Sequence, residues 1–311
     1  SANDTITGGA GADSLTGGDG SNTFLYVNQA ELEDGAELVD ATIVGGTGTD
    51  RISVADGLDV ANTVSFAKAT GIEELYVTGT AASDIALDVT AQTAGIATIN
   101  ISTSATDGNV VDVSEYTTLG TTIVGSTANT NVLTGGDADD DITGGSANDT
   151  ITGGAGADSL TGGDGNDVFL FNTGDVLDGE TIDGGGDTNT IRVVTSTDFS
   201  DLTTATILTD GDIDNIQITD ATTGTFLGSQ LTGQAINVNG FDDAGAGDVS
   251  TLAVNVVGAG AVDLTNLTFT ATAPGTEFVS GTDIVDIDGD GDANTITGTT
   301  LADNIAGDAG D

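Results

Sequence analysis

The chain has 311 residues, of which 50 are acidic and three are basic, so its formal net charge is −47. This charge excludes nucleic acid and anionic lipid as partners, and no apolar run is long enough to span a membrane. Cysteine, histidine, methionine and tryptophan are absent, which excludes disulfides, thiol chemistry and histidine-based catalysis and leaves hard oxygen atoms as metal ligands.

Nine-residue frames of the form G-G-x-G-x-D-x-U-x, in which U is a large apolar residue, recur along the chain. Roughly 0.04 full matches are expected by chance at this composition. Four frames match completely, at 8–16, 45–53, 153–161 and 162–170. Near matches lie at 17–25, 135–143, 144–152, 184–192, 289–297 and 298–306. The first twenty residues, SANDTITGGAGADSLTGGDG, return unchanged at 146–165.

These frames resemble the calcium-binding nonapeptide repeats of the RTX family of secreted bacterial proteins, which form a parallel β-roll. The resemblance implies that the first six residues form a calcium-binding turn and that the last three form a short strand. The residue types agree with this. Glycines at positions one, two and four permit positive φ, the aspartate at position six adds a carboxylate, and calcium takes about six to eight oxygen ligands. The apolar residue at position eight faces the core.

In the family, each calcium ion lies between two turns that are 18 residues apart. Carried onto this chain, the resemblance pairs Asp140 with Asp158 and Asp149 with Asp167. The full set of predicted metal ligands is Asp4, Asp13, Asn22, Asp50, Asn131, Asp140, Asp149, Asp158, Asp167 and Asp303.

Two of the predicted pairs contain an asparagine and are therefore weaker. Asn22 pairs with Asp4, and Asn131 pairs with Asp149. An asparagine keeps one oxygen ligand but halves the charge of the pair, which lowers its attraction for a divalent cation.

Three repeat clusters, at 1–26, 126–171 and 281–311, alternate with two longer segments, at 27–125 and 172–280. Corresponding stretches, GIEELYVTGT and DIDNIQITDA, follow the first two clusters. We therefore predict two duplicated modules, each a repeat cluster followed by a longer segment. The sequence begins and ends inside repeats, so we expect it to be a piece of a longer chain.

The third cluster contains a possible competing motif. DIDGDGD at 286–292 starts like an EF-hand loop, but Thr297 stands at the twelfth position, where an EF-hand has a bidentate glutamate. No helical pattern flanks it. An aspartate-rich solenoid turn is the preferred interpretation, and an irregular calcium site there is the alternative.

The longer segments also contain regularly spaced strands. In the first segment, apolar centres recur about every twelve residues, at Leu75, Leu87, Ile99, Val111, Ile123 and Leu133. Each lies in an alternating stretch such as ELYVTGT or IALDVTA, which is typical of a strand. In the second segment, we predict strands at 213–219, 234–239, 251–257, 262–270 and 276–279.

This regular spacing of strands favours stacked coils that continue the nonapeptide roll, and a β-sandwich remains the alternative. No stretch has sustained helical periodicity. We therefore predict an all-β chain, a parallel β-roll or β-solenoid with calcium-binding turns and scarce helix. Because its acidic residues repel one another, we expect its order to depend on bound cations.

The resemblance implies export by type I secretion and folding outside the cell on calcium. A looser resemblance, to calcium-dependent bacterial surface-layer proteins, rests on the Thr/Asp/Gly-rich composition and on segments such as GIEELYVTGT between nonapeptide runs. We predict a non-enzymatic, extracellular structural protein: a rod-like building block of a surface layer, filament or adhesin stalk. Its predicted partners are several calcium ions and copies of itself or adjacent modules. The alternatives are the non-catalytic region of a larger RTX enzyme and an ice-binding or surface-binding adhesin module.

Overall fold

The computed structural model describes residues 2–27, 31, 42–55, 59–60, 65–79, 82–200, 212–219, 221–241, 250–256, 261–269, 284–288, 295–299, 301 and 303–306. The chain divides into two compact units, unit 1 at Ser1–Gly165 and unit 2 at Asn166–Asp311. The five-segment division given above is finer than this and stays a prediction. Among the described residues, the helices are too short and too polar to cross a membrane.

Unit 1 contains sixteen short strands in its described part. They are β1 (Thr5–Ile6), β2 (Ser14–Asp19), β3 (Thr23–Tyr26), β4 (Thr42–Thr47), β5 (Arg51–Val54), β6 (Asp59–Val60), β7 (Ala69–Thr70), β8 (Glu74–Gly79), β9 (Asp84–Ala86), β10 (Thr98–Ser104), β11 (Asn109–Asp112), β12 (Thr122–Val124), β13 (Asn131–Thr134), β14 (Asp141–Gly145), β15 (Thr150–Thr152) and β16 (Ser159–Gly163). They form three parallel sheets: sheet 1A in the order β1-β3-β5-β8-β10-β12-β14-β16, sheet 1B in the order β15-β13-β11-β9-β6, and sheet 1C in the order β2-β4-β7.

Paired residues in neighbouring strands of unit 1 are one coil apart in sequence. In the nonapeptide run the coil has 18 residues, since Ile142 pairs with Leu160. In the preceding segment the coil has 24 residues, since Leu75 pairs with Ile99 and Ile99 pairs with Ile123. The 18-residue offset expected for the nonapeptides is therefore the register of the sheet.

The twelve-residue spacing of the apolar centres is half of the longer coil. Ile99 and Ile123 lie in sheet 1A, whereas Val111 and Leu133 lie in sheet 1B, and all four are fully buried. Parallel pairing at a one-coil offset is the pattern of a solenoid and excludes an antiparallel sandwich for these strands. The predicted all-β parallel roll is confirmed.

The core of unit 1 is filled by alternate residues of each short strand. In β5, Ile52 and Val54 are buried while Arg51 and Ser53 are partly exposed. The apolar residues at position eight of the nonapeptides are buried in the same way, among them Leu15, Ile142, Ile151 and Leu160. The repeat's U position therefore supplies the core of each coil.

One predicted strand is wrong in its second half. The stretch IALDVTA begins in β9, but the chain then forms the helix α1 (Val89–Ala94). Asp88 caps this helix, its side chain accepting hydrogen bonds from Thr90 N and Ala91 N, and Gly95 ends it with a φ of 106°. Alternation of apolar and polar residues over so few positions fits a strand and a helix equally well, and the N-terminal cap at Asp88 favours the helix.

Unit 2 contains twelve short strands in its described part. They are β17 (Val168–Phe171), β18 (Thr181–Gly185), β19 (Thr190–Val193), β20 (Thr197–Asp198), β21 (Asn215–Thr219), β22 (Thr223–Leu227), β23 (Asn237–Phe241), β24 (Thr251–Asn255), β25 (Ala261–Asp263), β26 (Ile284–Asp288), β27 (Thr295–Thr297) and β28 (Asp303–Ala306). Three parallel sheets follow the orders β23-β21-β19-β17, β20-β22-β24-β26-β28 and β25-β27. A one-turn helix, α2 (Gly228–Leu231), follows β22.

The strands predicted for the second long segment agree in part with unit 2. Those at 213–219 and 251–257 correspond to β21 and β24, and the one at 234–239 overlaps β23. The long strand predicted at 262–270 is shorter, because Leu264 leaves the sheet after β25 and a turn follows at 265–266. The strand predicted at 276–279 lies outside the described residues.

Candidate metal-binding turns

The residue at position six of the nonapeptide lies at the end of the turn, directly before a strand. Five aspartates of this kind are only 0–3% exposed: Asp50, Asp140, Asp149, Asp158 and Asp167. A buried carboxylate is costly unless it is paired, hydrogen-bonded or bound to a metal ion.

The chain has too few cationic side chains to neutralise these five carboxylates. It contains three basic residues in total. One of them, Arg51, forms a partly exposed ion pair with Glu74, with 3.2 Å between Nε and Oε2. Compensation for the buried charges must therefore come largely from hydrogen bonds or from cations outside the chain.

Asp140 illustrates what the protein itself supplies. Its Oδ2 accepts a hydrogen bond from Gly136 N (2.7 Å), and its Oδ1 accepts from Thr121 N (2.6 Å) and Thr121 Oγ1 (2.8 Å). Burial nevertheless raises the pKa of Asp140 above its ordinary value, with a smaller upward contribution from Asp139, and the hydrogen bonds offset only part of this. The turn holds the carboxylate by hydrogen bonds, but these bonds do not fully compensate the cost of burying its negative charge.

The glycine at position one lets this carboxylate and a carbonyl oxygen of the next coil approach the same point. A Cβ at Gly135 would lie 2.2 Å from the carbonyl oxygen of Gly153 and 2.3 Å from Asp140 Oδ2, closer than a real side chain can approach. Gly45 and Gly144 have the same surroundings, with Asp50 Oδ2 and Asp149 Oδ2 as the carboxylate oxygens. In each case a carboxylate oxygen of one turn and a carbonyl oxygen of the next coil approach one point beside the glycine. The first carries a negative charge and the second a partial negative charge.

This donor set fits calcium. Calcium accepts both carboxylate and backbone carbonyl oxygens, and a cation bound to both would offset their mutual repulsion. No group of three acidic side chains converges in the parts of the chain that the structure describes. Calcium held here would therefore draw on backbone carbonyls as well as on aspartates, which is what the glycines make possible.

The structure brings the first predicted pair together. Asp140 N donates a hydrogen bond to Asp158 Oδ1 at 2.8 Å, so the two turns are in direct contact. The second predicted pair has one member in each unit, and both Asp149 and Asp167 are buried. Whether these pairs bind calcium stays a prediction.

Both weaker pairs are also in contact. Asn131 N donates to Asp149 Oδ1 at 2.7 Å, and Asn131 Nδ2 donates to the same oxygen at 2.8 Å. Asp4 N donates to Asn22 Oδ1 at 3.1 Å, but the side chain of Asp4 is exposed. Asp4 is therefore connected to the next turn through its backbone.

Three further predicted ligands have different surroundings. Asp50 is fully buried, and its Oδ2 has no hydrogen-bond partner among the described residues. Asp13 is partly exposed. Asp303 is also partly exposed and accepts hydrogen bonds from Thr299 N (2.8 Å) and Thr299 Oγ1 (2.6 Å).

Sequence reasoning missed two residues that take part in this arrangement. Glu73 Oε2 accepts a hydrogen bond from Asp50 N at 2.8 Å, and Thr121 donates two hydrogen bonds to Asp140. Neither residue belongs to a nonapeptide frame. Their position is the signal that could have found them. Glu73 directly precedes β8, which pairs with β5 after Asp50, and Thr121 directly precedes β12, which pairs with β14 after Asp140.

Comparison with protein families identifies the turns. The family model for the RTX calcium-binding nonapeptide repeat matches four stretches, at 1–25, 127–151, 134–169 and 143–177. These stretches are RTX calcium-binding nonapeptide repeats. Neither the curated proteins nor the solved structures that were compared with the chain include a match.

The RTX repeats bind calcium ions, and the matched stretches include the turns of Asp140, Asp149, Asp158 and Asp167. They do not include 281–311, so the third cluster stays a prediction. Of its EF-hand-like motif, residues 286–288 belong to β26, and residues 289–292 lie outside the described part of the chain.

Proposed function

We propose that this chain is a calcium-stabilised structural module of an extracellular bacterial protein, exported by type I secretion and built into a surface layer, filament or adhesin stalk. The observation that supports this most is the set of five buried aspartates at position six of stacked turns. RTX repeats are typical of secreted proteins, which are exposed to the calcium-rich medium outside the cell.

Calcium acts in this proposal as a folding ligand. Extracellular calcium modules bind with dissociation constants of about 10⁻⁴–10⁻³ M. At ten times that concentration each site adds roughly 1.4 kcal/mol to the free energy of unfolding, and far below it adds almost nothing. The chain would therefore complete its fold only after export, where the ion neutralises buried carboxylates and part of the charge of −47.

The proposed partners are copies of the chain or adjacent modules of the same polypeptide. Among the described residues, β1 and β2 each pair with another strand on one side only. Unpaired strand edges bind further strands readily, so a coil from another module could extend these sheets. RTX repeat domains are typically non-catalytic, and we propose no catalytic role for this one.

Asp158→Asn tests the aspartates as calcium ligands. An asparagine keeps an oxygen for the hydrogen bond from Asp140 N but removes the charge, so we expect one calcium ion fewer per chain. The rise in melting temperature between chelator and calcium should be smaller by about 3–6 °C in the variant than in the original protein. Metal analysis of the gel-filtered protein, and calorimetry in calcium and in chelator, measure the two effects.

The matched control is Asp107→Asn. Asp107 is exposed, and its Oδ1 accepts a hydrogen bond from Thr130 N that an asparagine preserves. It makes the same change in net charge away from the nonapeptide turns and should leave the calcium content unchanged. Equal calcium content in all three proteins would contradict Asp158 as a ligand.

The assembly role predicts a different observation. In millimolar calcium we expect the chain to form ordered multimers visible by electron microscopy and by sedimentation, and a chelator should disperse them. A chain that binds calcium yet sediments as a monomer at all calcium concentrations would rule out self-assembly while leaving the calcium sites intact.

A further inference from the structure

In several turns the buried side chain at the start of the strand, or directly before it, is an asparagine instead of an aspartate. Asn22, Asn109 and Asn131 occupy such places in unit 1, and Asn189 does so in unit 2. All four are 0–2% exposed. They are therefore as deeply buried as the aspartates described above.

A backbone N–H group sets the orientation of each amide. Ser126 N donates to Asn131 Oδ1 at 2.9 Å, and Ser83 N donates to Asn109 Oδ1 at 3.1 Å. The other two amides receive the same kind of bond, from Asp4 N to Asn22 Oδ1 and from Asp167 N to Asn189 Oδ1. Because a backbone N–H can only donate, the oxygen of each amide must face it and the Nδ2 group must face the opposite way.

The Nδ2 group of Asn131 lies among four oxygen atoms from two consecutive coils. In its own turn it is 2.8 Å from Asn129 O and 3.2 Å from Ser126 O. In the next coil it is 2.8 Å from Asp149 Oδ1 and 3.3 Å from Gly144 O. Carbonyl and carboxylate oxygens that converge from both sides are also the ligands that a cation between two coils would need.

The amide nitrogen occupies the place that a carboxylate oxygen has in the aspartate turns. A Cβ at Gly125 would lie 3.0 Å from Asn131 Nδ2 and 2.4 Å from the next coil's carbonyl oxygen, whereas a Cβ at Gly135 would meet Asp140 Oδ2 and a carbonyl oxygen at 2.3 and 2.2 Å. An N–H group and a carbonyl oxygen attract each other. A carboxylate and a carbonyl oxygen repel each other unless a cation lies between them.

The same arrangement recurs at two other asparagines. A Cβ at Gly17 would lie 2.5 Å from Asn22 Nδ2 and 2.6 Å from a carbonyl oxygen of the next coil. A Cβ at Gly184 would lie 2.6 Å from Asn189 Nδ2, which donates a hydrogen bond to Asp212 O at 3.0 Å. The pattern therefore appears in both units and belongs to the residue type.

We infer that these buried asparagine amides take the place of calcium, so that the coils they join are stable without the ion. The calcium requirement of the chain is then confined to turns with a buried aspartate. This inference rests on the proposed calcium role of the aspartate turns, and it gives Asn22 and Asn131 a role other than the metal ligation predicted for them.

Hydrogen exchange of the 311-residue chain tests the inference without any substitution. In excess chelator we expect the backbone amides of β10, β11 and β12 to stay protected, because the Nδ2 group of Asn109 donates hydrogen bonds to Thr106 O and Asn131 Oδ1. The amides of β14 and β16, which follow the aspartate turns of Asp140 and Asp158, should lose at least tenfold in protection and regain it in millimolar calcium.

Asn131→Asp tests the amide directly. The new carboxylate would face Asp149 Oδ1, now 2.8 Å from Nδ2, so the variant should melt about 5–10 °C below the original protein in chelator. In calcium it should bind one further ion and recover to within about 2 °C. Asn100→Asp is the control, because the partly exposed Asn100 uses its Oδ1 to accept from Ser102 N and an aspartate can do the same.

The outcomes separate the two hypotheses. If β10–β12 exchange as fast as β14 and β16 in chelator, or if Asn131→Asp melts like the Asn100→Asp control there, the role of the amides is wrong. If β14 and β16 are equally protected with and without calcium and no ion binds, the calcium role of the aspartate turns is wrong. In that case the melting of Asn131→Asp in chelator still decides whether the amide stabilises its coil.

Discussion

Removal of calcium from the 311-residue chain is expected to abolish part of its strand signal and to expand it. The physical reason is that five buried aspartates, Asp50, Asp140, Asp149, Asp158 and Asp167, would lose the cation that we propose compensates them, in a chain that already carries a charge of −47. Circular dichroism near 218 nm should weaken in chelator, and the hydrodynamic radius should rise. Millimolar calcium should restore both.

Potassium chloride at equal ionic strength is the control for simple screening. Salt shortens the range of repulsion between surface charges but acts weakly on buried ones, so it should recover the radius only in part. Magnesium should be less effective than calcium, because it requires near-octahedral geometry at shorter distances and gives up its water reluctantly. Identical dichroism and radius in chelator and in calcium would contradict a folding role for the ion.

Gly154→Ala is expected to destabilise unit 1 much more than Gly9→Ala, although both glycines lie in the same twenty-residue string. Both have positive φ, 102° and 84°, so an alanine costs each about 1–2 kcal/mol of backbone strain. A Cβ at Gly154 would in addition lie 2.1 Å from Gly136 O, whereas a Cβ at Gly9 would have no described atom within 4 Å. We expect this overpacking to add about 1–3 kcal/mol at Gly154 alone.

Denaturant unfolding of both variants in saturating calcium measures the difference. It corresponds to a melting temperature about 3–10 °C lower for Gly154→Ala than for Gly9→Ala. Because the local sequences are identical, intrinsic propensity cancels in the comparison. Equal destabilisation would show that backbone strain alone governs these glycines and that the close approach of neighbouring coils contributes nothing.

The periodic features of the chain could be predicted from its residues. The nine-residue frame places one apolar residue in the core and one acidic residue before the strand, and two frames make a coil. This 18-residue coil length is enough to place Asp140 next to Asp158. The hydrogen bond of 2.8 Å from Asp140 N to Asp158 Oδ1 confirms that the two residues are neighbours. The twelve-residue spacing in the longer segment predicted strands for the same reason, since a coil with two sheet faces needs two apolar centres.

Non-periodic features could not be predicted in this way. The helix α1 depends on the cap that Asp88 provides, and the alternating residues around it fit a strand equally well. Glu73 and Thr121 lie outside every nonapeptide frame, and only the pairing of distant strands brings them to Asp50 and Asp140.

The repeated string shows most directly what the sequence by itself determined and what only the tertiary structure decided. The residues of 1–20 and 146–165 are the same, and the same four glycines of the string have positive φ in both copies. Yet Asp4 is exposed while its counterpart Asp149 is 1% exposed. Local sequence determines the shape of a turn, but burial, the carbonyl oxygens opposite each carboxylate and therefore the need for a cation come from the neighbouring coils, whose residues lie elsewhere in the chain.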